Sequence, residues 1–126
     1  MHNICITVGG HKIHVKLCNT PTANAIYDNL PFNSSVQTWG NEIYFTTPIN
    51  NISLENNAKD VVNLGELAFW VEGNCIAIGF GPTPISRADE IRLATKTNIW
   101  GHTTNDLKFL KDIQSGDPIT VAAPEV

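Results

Sequence analysis

Long apolar runs, basic charge and paired cysteines are all scarce in this chain, and each scarcity excludes something. No apolar stretch approaches the roughly 20 residues a helix needs to cross a bilayer. The start, MHNICITVGG, has no basic segment leading into an apolar one. Secretion and membrane insertion are therefore not expected, and the cytoplasm is the expected compartment. Lysine and arginine number 8 against 12 acidic residues, for a net charge of −4. No positive field recommends nucleic acid or an anionic membrane as a partner. The three cysteines, Cys5, Cys18 and Cys75, are odd in number and lack CxxC spacing, so they read as reduced thiols.

What is present is an ordinary soluble composition, 42% hydrophobic and 16% charged, over 126 residues. That length suits one domain spanning residues 1–126 with a single core. One device occurs three times. ICITVGGHKIHV is two alternating apolar runs around Gly9-Gly10, which pairs Val8 with His11, Ile6 with Ile13 and Ile4 with Val15. SVQTWGNEIYF repeats it around Gly40-Asn41, pairing Trp39 with Glu42, Gln37 with Tyr44 and Val36 with Phe45. LAFWVEGNCIAIGF repeats it around Gly73-Asn74, pairing Val71 with Ile76, Phe69 with Ile78 and Leu67 with Phe80. In each hairpin one face is apolar on both strands, the outcome a wrong register would spoil. With later strands TNIWGH and PITVAA, these predict an antiparallel, mainly β domain, most economically a closed barrel.

Helix is minor. TPTANAIYDNLP offers Thr20 as N-cap, Pro21 at the first helical position, and Ala23, Ile26, Tyr27 and Leu30 at helical spacing before Pro31. TTNDLKFLKDIQSG predicts one or two further turns ending at Gly116, and TTPINNISLENNAKDVVN reads as a long loop with a short strand near Val61.

TANAIYDNLP, WGNEIYF, GELAFWVEGNCIAIGFGPTPIS and NIWG, in that order, resemble the small cyclophilin-like family of bacterial and archaeal proteins. The resemblance runs from about His2 to Val121 and implies a closed, cyclophilin-like β-barrel of about eight strands with short helices at its ends. It carries no activity with it. Cyclophilins that isomerise prolyl bonds have a Phe-x-Arg-Val-Ile strand and a Gln-Gly-Gly-Asp block supplying a catalytic Arg and Gln. Neither stands here, and the arginines are Arg87 and Arg92.

Candidate chemistry follows residue by residue. GFGPTP resembles a phosphate loop, but Pro82 and Pro84 remove two backbone donors and no lysine follows. Ser86 lacks a GxSxG elbow, and with Asp89 it fits an S-x-x-D capping box starting a short helix. Cys5 faces His14 across the first hairpin, two ligands where zinc needs three or four, so neither metal nor cofactor is expected.

The outward face of the third hairpin places Trp70 against Ala77, among small neighbours. A large aromatic there is either roofed by a loop or helix, or floors a groove. The candidate groove comprises Trp70, Phe80 and Thr83, with Trp39, Tyr44 and Glu42 from the second hairpin. Arg92 is the one electrostatic candidate for amide rotation; its plainer role is a surface pair with Asp89 or Glu90.

Three functions stay open. The first is a barrel binding a proline-containing peptide or small molecule, without catalysis. The second is a divergent prolyl isomerase, and the third a module whose aromatics bury in a homodimer.

Overall fold

The computed structural model describes residues 2–124; Met1, Glu125 and Val126, included in the one-domain reading, lie outside it. Ten strands form: β1 (Asn3–Val8), β2 (His11–Leu17), β3 (Phe32–Ser35), β4 (Gln37–Thr38), β5 (Glu42–Thr46), β6 (Lys59–Val62), β7 (Glu66–Trp70), β8 (Cys75–Gly79), β9 (Ile91–His102) and β10 (Pro118–Ala122). One helix, α1 (Pro21–Asp28), and a 3-10 turn at Lys108–Asp112 complete the described elements. The strands pair antiparallel in the order β3-β10-β1-β2-β9-β7-β8-β5-β4, with β6 on β9. The path curls into a nearly closed barrel with one unsealed seam.

The local reasons are those the sequence offers. Gly9 and Gly10 take φ of 58° and 77°, the two positive values a tight two-residue hairpin turn requires. Ile4 then faces Val15, and Ile6 faces Ile13. The Thr20 hydroxyl accepts from the Ala23 N–H, Pro21 opens α1, and Ala23 and Ile26 are buried. Inward residues of every long strand join helix residues and Leu107 and Leu110 in one core.

The structure corrects the sequence reading in four places. In the third hairpin Leu67 pairs with Ile78, Phe69 with Ile76 and Trp70 with Cys75, two residues away from the expected register. The turn is Val71–Asn74, longer by two, with Asn74 at φ 52°. A Cβ at Gly73 would strike the Trp70 ring, so the ring itself occupies the turn's inner space. A two-residue shift preserves faces, which is why Leu67, Phe69, Ile76 and Ile78 are still core. Val36 does not pair with Phe45: its N–H donates to the Asp117 carbonyl (2.9 Å), and its carbonyl accepts from Gly116 N–H (2.7 Å).

Ser86 starts no helix. Its hydroxyl oxygen accepts from the Thr83 N–H (2.9 Å) and the Arg92 N–H (3.1 Å). Ala88 sits at φ 55°, which a right-handed helix forbids. Consequently the last long strand begins at Ile91, six residues before the expected Thr97.

That extension builds a second layer. Ala68 and Ala77 alternate with core residues and so point outward from β7 and β8. They form a separate apolar cluster with Val62 of β6, Ile91 and Leu93 of β9 and Ile99, the ladder partner of Ala68, and Tyr44 packs against it. A bulge between Leu67 and Ala68 leaves Trp100 out of the ladder, and its indole N–H donates to the Ala68 carbonyl (3.1 Å).

The long loop before β6 is pinned by one buried amide. Asn98 donates to the Thr22 hydroxyl (3.0 Å) and the Ser53 carbonyl (2.9 Å), and accepts from the Glu55 N–H (2.8 Å). Asn98→Ala leaves the half-buried Glu55 N–H without its acceptor, at a cost of about 1–3 kcal/mol, and also removes the donors to the exposed Ser53 and to the Thr22 hydroxyl, which keeps its bond to Glu55 (2.6 Å). Urea unfolding is expected to show a loss on the order of 3 kcal/mol, and a loss below about 1 kcal/mol would contradict this role.

Candidate functional site

The β4–β5 hairpin turns at Gly40, φ 58°, with Trp39 N–H donating to the Glu42 carbonyl (2.9 Å) and Glu42 N–H returning to Trp39 (3.2 Å). Ile43 and Phe45 point into the core, so Glu42 and Tyr44 point outward. Across the ladder Glu42 faces Gly79 and Tyr44 faces Ala77, so small residues leave room for large ones.

The GFGPTPIS stretch holds this hairpin's tip. Phe80 N–H donates to the Asn41 carbonyl (2.8 Å), and Asn41 N–H donates to the Pro82 carbonyl (3.1 Å). A Cβ at Gly40 would lie 2.7 Å from Pro84 Cδ and 3.0 Å from Thr83 Cα, so the loop seats directly on the turn. The same stretch grips the start of β9, where the Thr83 hydroxyl donates to the Arg92 carbonyl beside the Ser86 contacts described above.

Between these braced elements lies a cavity of about 200 Å³. The second hairpin lines it with Trp39, Glu42 and Tyr44, the third with Trp70 and Ala77, and β9 with Leu93 to Thr95 and Thr97. A dry cavity of about 150 Å³ accommodates a benzene ring, so this one suits a single ring or a short branched chain.

Glu42 is the one carboxylate in a lining of aromatic, aliphatic and threonine residues. It is 6% exposed, and its Oε1 is buried without a hydrogen-bond partner among the described residues. Burial pushes its carboxyl up to about 7. Burial raises the nearby Cys75 thiol, the Thr46 hydroxyl partly offsets this, and the Glu42 charge adds a smaller rise.

Four of the sequence-derived site residues thus meet: Trp39, Glu42, Tyr44 and Trp70. Trp70 is half-buried and part of the lining; its ladder partner is Cys75, not Ala77. Phe80 packs against the main core, and Thr83 is buried in the clasp. Arg92 pairs with Glu90 (2.7 Å), as one reading anticipated, and with Asp60 (3.1 Å), away from the cavity. The Glu90 hydrogen bond raises the guanidinium further and holds the Glu90 carboxyl below its usual range. The β9 contribution was missed because residues after Ser86 read as a helix; the alternating Ile91 and Leu93 were the available signal.

Elsewhere, Cys5 and His14 are ladder partners as expected, and no group of three or more metal-ligating side chains occurs among the described residues. A second constellation was invisible in the sequence. Cys18 Sγ lies 3.6 Å from His102 Nδ1, and His102 Nε2 lies 3.8 Å from Glu66. Burial, then the Glu66 and Glu55 carboxylates, raise Cys18, the opposite of what a nucleophilic thiolate needs. Glu66 is held low despite burial by the Asn63 N–H and by Lys59, 2.6 Å away.

Raised burial of Glu42 has a pH signature. Its folded value of about 7 lies above the ordinary 4.5, so the Glu42 contribution to stability is most favourable below 4.5 and is lost as pH rises through 7. Glu42→Gln is therefore expected to gain on the wild type across that interval, by on the order of 3 kcal/mol at pH 8. Urea denaturation of both proteins at pH 4.5 and pH 8 measures it; a pH-independent difference would contradict the burial argument.

A family model described as cyclophilin-like matches residues 2–122. The solution structure of the hypothetical protein AF2241 from Archaeoglobus fulgidus is similar at 36% identity, covering 98% of this chain and 95% of that one, with a TM-score of 0.82. No curated protein matches. Among the described residues no helix is long and apolar enough to cross a membrane.

Proposed function

The chain belongs to the cyclophilin-like family, and on that fold we propose that it is a binding barrel. Its outer-face cavity takes a small molecule, or one apolar side chain of a peptide such as a prolyl ring, and makes no covalent change in it. The observation that carries this reading is the convergence of Trp39, Tyr44 and Trp70 around Ala77, under the outer strand β9. Two hairpins and a doubly anchored loop hold those rings in place, so little conformational freedom is lost on binding. Amide isomerisation is not part of the proposal, because Arg92, its one candidate group, is engaged with Glu90 and Asp60.

Chemical-shift mapping tests the reading with three built-in reporters, the indole N–H signals of Trp39, Trp70 and Trp100. Titration with cyclohexanol and with an Ala-Pro dipeptide is expected to move the Trp39 and Trp70 signals. Trp100, fully buried and bonded to Ala68, should stay fixed. Shifts confined to other surfaces, or none at millimolar ligand, would overturn the assignment.

A further inference from the structure

Glu42 is what a largely apolar pocket has least reason to contain. An ionisable side chain 6% exposed, with Oε1 unpartnered among the described residues, lines the cavity beside three aromatic rings. A buried carboxyl group short of donors costs about 1–3 kcal/mol, so an occupant that donates to the part of it lining the cavity offsets some of that cost. The surroundings select the kind of donor. Two indoles and a phenol offer electron-rich surface, which attracts cations and is indifferent or unfavourable to anions. The lining contains no lysine, arginine or histidine to neutralise the carboxylate from within. The nearest arginine along β9, Arg92, is held by Glu90 and Asp60. A net charge of −4 further favours the approach of a cation.

We propose that the cavity recognises a free small organic amine of about one ring's size, its ammonium donating to the Glu42 carboxylate and its carbon frame packed among Trp39, Tyr44 and Trp70. This rests on the binding reading above and names the ligand class for the same site. A purely apolar ligand would give the carboxylate no donor, and an anion would face both Glu42 and the rings. The cavity of about 200 Å³ admits a cyclohexyl or phenyl frame but not a nucleotide or an extended peptide.

The other titratable group of the lining is Tyr44, and the Glu42 charge also acts on Cys75 of β8; neither carries positive charge, while Lys96, between Thr95 and Thr97 on β9, is exposed and outside the lining. The amine binds the ionised carboxylate, so binding releases a proton near neutral pH. With the carboxyl at about 7, affinity should rise roughly tenfold between pH 6 and pH 8.

The test compares cyclohexylammonium, cyclohexanol and cyclohexanecarboxylate by the Trp39 and Trp70 indole signals, on wild type and on Glu42→Gln. The ammonium is expected to bind at least tenfold tighter than the alcohol at pH 8, and the carboxylate not at all. In Glu42→Gln the ammonium's advantage should vanish while the alcohol still binds, a result that also shows the variant pocket intact. Equal affinity of ammonium and alcohol on wild type, or an advantage unchanged in Glu42→Gln, overturns the amine inference and leaves the binding reading standing. No response to any of the three, nor to the Ala-Pro dipeptide, overturns both. A lysine-containing tripeptide binding tighter than cyclohexylammonium would overturn the assignment to a free amine.

Discussion

The outward side chains of β7 and β8 must be small, and most of what distinguishes this barrel depends on that. Ala68, Ala77 and Gly79 leave a shallow strip on the barrel wall, and β6 with the first half of β9 lies down on it. A Cβ at Gly79 would strike Ile91, so even one methyl group would lift this second layer. With the layer in place, a large aromatic at the edge of the strip, Trp70, is flanked instead of exposed. The same strip leaves Glu42 and Tyr44, opposite Gly79 and Ala77, turned into covered space instead of water. Cavity and buried carboxyl are two consequences of one packing constraint.

The GFGPTPIS stretch makes that arrangement rigid. Its backbone is bonded to the tip of the second hairpin at Asn41, and its hydroxyls, Thr83 and Ser86, are bonded to the backbone of Arg92 at the start of β9. Prolines that exclude a phosphate role suit this one, since a fixed φ and missing donors cost nothing in a connector bonded at both ends. Two walls of the cavity are thereby tied to one loop, and neither Thr83 nor Arg92 needs to touch a ligand to matter.

Alternation and turn residues made most of the barrel legible. The first hairpin register, the helix with its Thr20 cap and the short strand at Val61 stand where the sequence puts them. That Trp39, Glu42, Tyr44 and Trp70 share the outer wall was also legible, because period two puts them on the face opposite the core residues. What was not legible depended on contacts between distant segments. The third turn is longer because Trp70 fills it, and Ser86 fails to cap a helix because Thr83 and Arg92 take its hydroxyl. Burial of Glu42 requires β9 overhead, and Cys18, Glu66 and His102 meet only because strand ends converge.

Glu42's ionisation reports directly on whether the covered, unpartnered carboxyl is real. A ¹³C NMR titration of the Glu42 side-chain carboxyl in the free protein reads it at one atom. The account predicts a midpoint near 7, and a midpoint near the ordinary 4.5 would contradict it.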